Sequence, residues 1–509
     1  MPKAELPILR ERRDDKAVAR PRRGSAKGRW IRRVRNSLLA VVALLAVCLA
    51  SIWLAVSLTP MQSVTAAGQT VEVGAVAPDL SLSGPGELDL FGEALATEPH
   101  FQGPIRPRLK LADISINSQV NQIVRADDHD TLQLTLSRQL AAGWIRYCVW
   151  ELLIAAGCAA VVAVAVAGIR RAPRRTTLMM VGVCVLTVSA VNALGVYLMA
   201  SGTPQALRQV RTLDDLVGRA PTEPVAPAKG PKLTGVHAVV LGDSTAAGIG
   251  NQPVKDPTAL DKTCGRSSDA YAAVLARVND WNVLNLACQG ATVTDGLLGV
   301  QLRGDQAVPP QLAVAQRASS ASVIIVSVGA NDMNWAVLTG LCAKAPVCDD
   351  KASTAYFKEQ LSTFSQNYLD LLQQLSDLPH HPDVLINQYY EPFGADIRCL
   401  EKDGLTEAKV KVLKSRLANL NAVLQQGADA FHFATAQPDF EGHRLCSKQP
   451  FVQNTADQAP LHPTAAGELA IALADQRALA ELRNVPSDAP TAGTSPGTAD
   501  SSAPPTPVR

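Results

Sequence analysis

Four short blocks in the C-terminal half of the chain carry residue types suited to acyl transfer. In LGDSTAAGIG (241–250), Gly242 permits a sharp turn and Ser244 stands at the mouth of an expected helix, where free backbone N–H groups point outward. In NLACQGATV (285–293), Gly290 lets a backbone N–H approach a ligand closely, and in SVGANDMNW (327–335), Asn331 offers a side-chain amide donor. In APLHPTAAGELAIALA (459–474), His462 precedes Pro463 and an expected helix. Singly, each has a plain reading: Ser244 as an N-cap, Gly290 as a turn residue, Asn331-Asp332 as a turn pair, His462 as a loop residue. Together they supply a hydroxyl, an imidazole to take its proton, and donors for a tetrahedral oxyanion. Each such donor is worth about 2.7–4 kcal/mol in the transition state.

Strands and helices must place these residues on one edge. Within 236–484, the runs HAVVLG, WNVLNLA, SVIIVSVG, DVLINQYY and FHFATA are short and apolar, as in strands buried on both faces. Between them lie helical patterns: SDAYAAVLARV, PQLAVAQRA, TAYFKEQLSTFSQNYLDLLQQL and TEAKVKVLKSRLANLNAVLQQ. The alternation predicts an α/β fold with a largely parallel sheet and right-handed crossovers. Ligands in such sheets bind beyond the carboxyl ends of the strands, where Ser244, Gly290 and Asn331 fall.

At this point the chain resembles the SGNH hydrolases, the GDSL-type esterases and lipases. The resemblance rests on Gly242-Asp243-Ser244, Gly290, Gly329-Ala330-Asn331-Asp332 and His462 in that order, over residues 236–484. It implies a three-layer α/β/α sandwich on a mostly parallel five-stranded sheet. It also implies Ser244 as nucleophile, His462 as general base and then acid, and an oxyanion hole made by the Ser244 and Gly290 N–H groups and the Asn331 side chain. No cofactor or metal is implied. The contexts NLACQGA and LHP, with six cysteines, resemble the disulfide-bonded secreted actinobacterial lipases of the family. One position departs: the family's Asp three residues before the His is Ala459 here. The imidazole needs only an acceptor to hold its tautomer, so the backbone carbonyl of Ala459 is expected in that role, with Asp457 as the alternative.

Charge and hydropathy place the domain at a membrane. The formal charge is only +2, which argues against a nucleic-acid partner. Residues 1–36 nevertheless hold 13 Lys/Arg against four acids, and Arg170, Arg171, Arg174 and Arg175 form a second cluster. Three apolar runs, 37–58, 147–169 and 177–200, are each long enough to cross a hydrocarbon core of about 30 Å. Basic flanks put the N-terminus and the 170–175 connector in the cytoplasm, leaving 59–143 and 201–509 outside. Trp53, Trp144, Tyr147, Trp150 and Tyr197 then fall near the outer interface, and Glu151, with no partner in view, reads as a snorkelling residue. The first span is expected to be retained rather than cleaved, being long for a signal segment.

Of ten cysteines, Cys48, Cys148, Cys158 and Cys184 lie in the spans. The other six, all after residue 201, read as three disulfides of an outward-facing domain. Fifteen pairings are open and the sequence does not choose among them. The sequential set Cys264–Cys288, Cys342–Cys348 and Cys399–Cys446 closes the shortest loops and is the expected one. Residues 59–143, with alternating runs such as QTVEVGAV, DLSLSG, RLKLADISIN and TLQLTL, are expected to form a small extracytoplasmic β-domain. Residues 201–235 read as a Pro-rich linker and 485–509 as a disordered tail.

The expected protein is thus a multi-pass plasma-membrane esterase or lipase, acting outside on esters of lipids or acylated cell-envelope glycans. The alternative is a weak or inactive SGNH-fold binding protein of the envelope, suggested by Ala459. An acyltransferase is disfavoured by the small number of spans, and a transporter by the lack of paired polar sites within them.

Overall fold

The structure, a computed structural model, describes residues 26–207 apart from 67–68, 78–80, 82, 104 and 115–128, together with residues 223–484. Most of the basic N-terminus, part of the 201–235 segment and the 485–509 tail lie outside the described residues. The chain divides into two compact units.

The first unit comprises residues up to Thr59 and Cys148–Tyr197. It takes in α1 (Ala26–Leu58) and the larger parts of α2 (His129–Ile169) and α3 (Arg174–Leu207), whose residues 129–147 and 198–207 belong to the second unit. Three helical stretches are long and apolar enough to cross a membrane: Ser37–Leu58, Ala142–Ile169 and Arg174–Gly195. Ala155, Ala159, Ala163 and Ala167 recur every four residues and are buried, so one face of α2 is smooth enough for close helix packing. Leu38, Leu153 and Leu186 point outward and remain exposed. Glu151 is not a snorkelling residue. Only 2% exposed, it accepts a hydrogen bond from the Asn192 amide of α3. A polar pair inside apolar helices fixes their register, because any other register strands both groups.

The second unit holds two five-stranded sheets and a two-stranded one among the described residues. The first contains β1 (Gln62–Ala66), β2 (Gln69–Val76), β3 (Ser83–Leu90), β4 (Glu93–Gln102) and β5 (Arg106–Ile114) in the order β1-β2-β5-β3-β4. All its pairings are antiparallel except β3 with β5. The run TLQLTL (131–136), expected as a strand, is helical within α2. Six alternating residues cannot outweigh their continuity with the long apolar helix that follows. Trp144 and Tyr147 are buried within this unit, and Trp144 Nε1 donates to the Gly74 carbonyl at 3.1 Å, so these two rings cap the sheet rather than lie free at an interface.

The second sheet is wholly parallel, in the order β12-β11-β10-β6-β7. Its strands are β6 (Ala238–Gly242), β7 (Val283–Asn285), β10 (Val323–Ser327), β11 (Asp383–Asn387) and β12 (Ala434–Ala436), and a hairpin of β8 (Gln301–Arg303) and β9 (Gln306–Val308) stands apart. The intervening helices are α4 (Ser244–Ala247), α5 (Ala259–Cys264), α6 (Tyr271–Asn279), α7 (Gln311–Ala315), α8 (Trp335–Lys344), α9 (Lys351–Ser376), α10 (Arg398–Glu401), α11 (Glu407–Ala430) and α12 (Ala465–Asn484). Strand side chains alternate between two cores. Val239, Leu241, Ile324, Val326, Val384 and Ile386 face α9 and part of α11, whereas Ala238, Val240, Ile325 and Leu385 face α6 and α12. The result is the three-layer α/β/α sandwich.

Neither neighbouring segment is independent of this sandwich. Leu88, Leu90, Phe91, Leu95 and Leu111 of the first sheet belong to the same core as α9 and α11, with Phe91 edge-on to Tyr368 at 5.9 Å. Of the 201–235 segment, α3 takes in residues up to Leu207, and the described residues 223–235 are strapped down by Val225 N–H to Gln374 Oε1, Ala228 N–H to Ala313 O and Leu233 N–H to Arg317 O, each 2.8 Å. Three disulfides, Cys264–Cys288, Cys342–Cys348 and Cys399–Cys446, lock the sandwich, while Cys48, Cys148, Cys158 and Cys184 stay free.

Candidate active site

The end of β6 is built for a tight exit. A Cβ at position 242 would lie 2.4 Å from the Ser327 carbonyl oxygen, so only glycine fits beside β10. The Gln311 side chain bonds the Gly242 backbone both ways, at 2.7 and 2.9 Å. Asp243 then caps α4, its Oδ1 accepting the Thr245 N–H at 2.9 Å, and Ser244 becomes the first helical residue. Gly248 closes that single turn in a left-handed conformation.

Ser244 Oγ lies 2.8 Å from His462 Nε2 although 218 residues separate them in sequence. On the other side of the ring, Nδ1 lies 3.1 Å from the Pro460 carbonyl oxygen. A carbonyl can only accept, so the proton of the neutral ring sits on Nδ1 and Nε2 is left as the acceptor for the Ser244 hydroxyl. Neither expected orienting group serves here. The Ala459 carbonyl accepts the His462 backbone N–H at 3.2 Å, closing the turn, and the Asp457 carboxylate accepts the Asn454 N–H at 2.6 Å. The turn through Leu461, whose φ is +67°, presents the Pro460 carbonyl to the ring instead.

The histidine loop is held by a residue that sequence reasoning missed. Buried Gln453 exchanges backbone hydrogen bonds with His462 O and Leu461 N–H, accepts the Ala459 N–H on Oε1, and donates from Nε2 to Pro463 O and to Ile249 O just beyond α4. Asn251 Nδ2 also reaches both Gly248 O and Pro463 O. Nothing local in the sequence marks Gln453.

The donors stand on adjoining loops. Among the described residues neither the Ser244 nor the Gly290 N–H has a hydrogen-bond partner. Gly290 has φ +76°, which favours glycine there, and Cys288 N–H bonds the Gly242 carbonyl at 3.0 Å. Asn331 donates one amide hydrogen to Ala291 O at 2.9 Å, fixing the side chain and leaving the second hydrogen for a ligand. Asp332 accepts the Val293 N–H at 3.0 Å, and burial pushes its carboxyl up to about 7.

Two further residues come from the end of β11. The Tyr389 hydroxyl accepts the Ala330 N–H at 2.9 Å and donates to Asp243 Oδ2 at 2.8 Å; the Tyr390 hydroxyl donates to Leu461 O at 2.7 Å. Successive side chains of an extended segment point to opposite sides, so one tyrosine braces the Asp243 and Ala330 loops and the other braces the His462 loop. The run QYY at a strand end was the available signal.

Residues 240–470 match the family described as GDSL-like lipase/acylhydrolase. The chain carries a GDSL-like lipase/acylhydrolase domain. Among curated relatives, this acylhydrolase domain is similar to lipase 1 of Streptomyces coelicolor, 26% identical over 239 residues that cover 45% of this chain and 81% of the relative. Among solved structures it is similar to an extracellular lipase from Streptomyces rimosus, with 21% identity, 48% and 99% coverage and a TM-score of 0.40. A phospholipase A1 from Streptomyces albidoflavus is similar at 23% identity, 49% and 99% coverage and a TM-score of 0.36. The domain match and the lipase relative support a carboxylic-ester hydrolase.

Proposed function

We propose that the protein is a membrane-anchored serine esterase or lipase that works outside the cell on esters of lipids or acylated envelope glycans, through an acyl-enzyme on Ser244. The observation that carries this reading is the 2.8 Å approach of His462 Nε2 to Ser244 Oγ, with Nδ1 engaged by a carbonyl. As Oγ attacks the ester carbonyl carbon, its proton passes to Nε2. The oxyanion is received by the Ser244 and Gly290 N–H groups and the free hydrogen of the Asn331 amide. Collapse breaks the bond to the leaving alcohol, which takes the proton from Nε2. Water then repeats the sequence in reverse roles, and the acid is released.

The outward orientation is supported by the basic flanks of the first span and of the 170–175 connector, and by three disulfides confined to the segment after residue 201. The substrate class is supported by the name of the lipase relative and by the three apolar helices, which suit attachment to a membrane. Ala459 in place of an acid favours a second reading, an inactive binding protein. A membrane-impermeant fluorophosphonate applied to intact cells tests both. Labelling of the wild type but not of Ser244→Ala, with loss of nitrophenyl-ester hydrolysis in the variant, is expected. Wild-type turnover by Ser244→Ala would remove Ser244 from the mechanism, and an unlabelled, inactive wild type would favour the binding protein.

A further inference from the structure

The loop that carries His462 brings no carboxylate to the ring: Ala459 stands three residues before it, Asp457 is committed to Asn454, and the acceptor on Nδ1 is a neutral carbonyl. The half-buried imidazolium formed during acyl transfer is stabilised by a counter-charge, and the residue next to Ser244 in the chain carries one. Asp243 is fully buried and immediately precedes the residue that His462 touches. We propose that Asp243 supplies the negative charge that steadies the His462 imidazolium across Ser244, and that Tyr389 is the positioning residue keeping Asp243 ionised and aimed.

The hydrogen bonds select the anion. Asp243 Oδ1 accepts the Thr245 N–H and Oδ2 accepts the Tyr389 hydroxyl. Tyr389 already accepts the Ala330 N–H, so its own proton is the one directed at Oδ2. A protonated Asp243 would leave two hydrogens competing for that contact. Burial is the largest influence and leaves the Asp243 carboxyl raised overall, with Thr245, Tyr389 and His462 pulling it part of the way back down, so the charge depends on those partners. The titratable groups around Asp243 are Tyr389, Tyr390, Tyr271, Asp332, Glu468 and His462. Five are phenols or carboxyls, so His462 is the one member of this set that becomes a cation. A charge held for that moment stabilises the transition state more than the resting site, which is what raises kcat. Asp243 takes no proton at any step; the proton moves from Ser244 Oγ to Nε2 and on to the leaving alkoxide.

This inference rests on the Ser244–His462 reading, and the experiment separates the two. The pH profile of kcat/KM for a short-chain nitrophenyl ester is measured on the full-length protein for wild type, Asp243→Asn and Tyr389→Phe. Asp243→Asn is expected to lose roughly tenfold to hundredfold in kcat, the size of one charge interaction at an effective dielectric near 20, with KM within about twofold. Its acid limb moves to lower pH, a shift that a merely structural role does not produce. Tyr389→Phe keeps the carboxylate and weakens its ionisation, so its deficit is largest at low pH and closes as pH rises. An acid limb of Asp243→Asn coincident with wild type, or a Tyr389→Phe deficit equal at every pH, overturns the proposal. If Asp243→Asn fails to fold, the Tyr389→Phe profile decides alone. Fluorophosphonate labelling of the wild type isolates the parent reading: labelled Ser244 with unmoved limbs sinks only the role of Asp243, whereas unlabelled Ser244 sinks both.

Discussion

The Pro460 carbonyl, two residues before His462, holds its Nδ1 at 3.1 Å. Any residue has a carbonyl, so the tautomer is set by the shape of the turn and not by a side chain. Asp457→Asn should therefore change kcat by less than tenfold in an ester-hydrolysis assay. A loss near the ~10⁴-fold typical of a triad Asp-to-Asn change would make Asp457 the third catalytic group instead.

Turn shape depends in turn on Gln453, whose side chain joins the His462 loop to Ile249, just past the Ser244 helix. Gln453→Leu leaves the Ala459 N–H and the Ile249 carbonyl without partners, while the Pro463 carbonyl keeps its bond from Asn251. The expected cost is about 2–4 kcal/mol in urea unfolding, since buried orphaned groups cost about 1–3 kcal/mol each and some regain water. A displacement of His462 of about 1 Å is expected to lower kcat by ~10²-fold. Unchanged kcat with lowered stability would show that the loop keeps its shape without this residue.

Much of the parallel sheet was legible because its strands are buried on both faces and so read as unbroken apolar runs, as in HAVVLG and SVIIVSVG. The Gly-Asp-Ser turn was legible because close packing of Gly242 on Ser327 leaves a chemical signature in the residue type itself. Three things were not legible, each for a physical reason. The pairing of Glu151 with Asn192 depends on how α2 and α3 pack, which no local pattern encodes. The helical state of 131–136 is decided by the continuing helix and not by its own alternation. The bracing by Gln453, Tyr389 and Tyr390 joins segments up to about 200 residues apart through ordinary polar side chains.

Burial of Phe91 against Tyr368 makes the first sheet part of the acylhydrolase core. Phe91→Ala should destabilise that core by about 3–5 kcal/mol, the range for removing a buried phenyl ring. The urea midpoint of ester hydrolysis in detergent reports it. If the midpoint does not move, the two sheets unfold independently and the shared core contributes nothing to the catalytic layer.

A last prediction concerns alkaline stability. Asp475 of α12 is fully buried, and burial pushes its carboxyl up to about 8 against the smaller downward pull of the Asn387 amide. The unfolded value is about 3.9. Because the folded value is raised, the contribution of Asp475 is fully present below about pH 4. It is lost as pH rises toward 8, since the unfolded chain ionises first and gains solvation that the buried acid cannot. The slope from this one group is at most about 1.4 kcal/mol per pH unit, and it vanishes above the folded value. Asp475→Asn keeps a neutral side chain of the same shape, so its stability relative to wild type should climb from pH 5 to pH 8 and then level off. Urea unfolding at four or five pH values measures the difference. A constant offset across that range would mean that Asp475 is ionised in the folded protein, which demands a cationic partner or access to water that α12 does not provide.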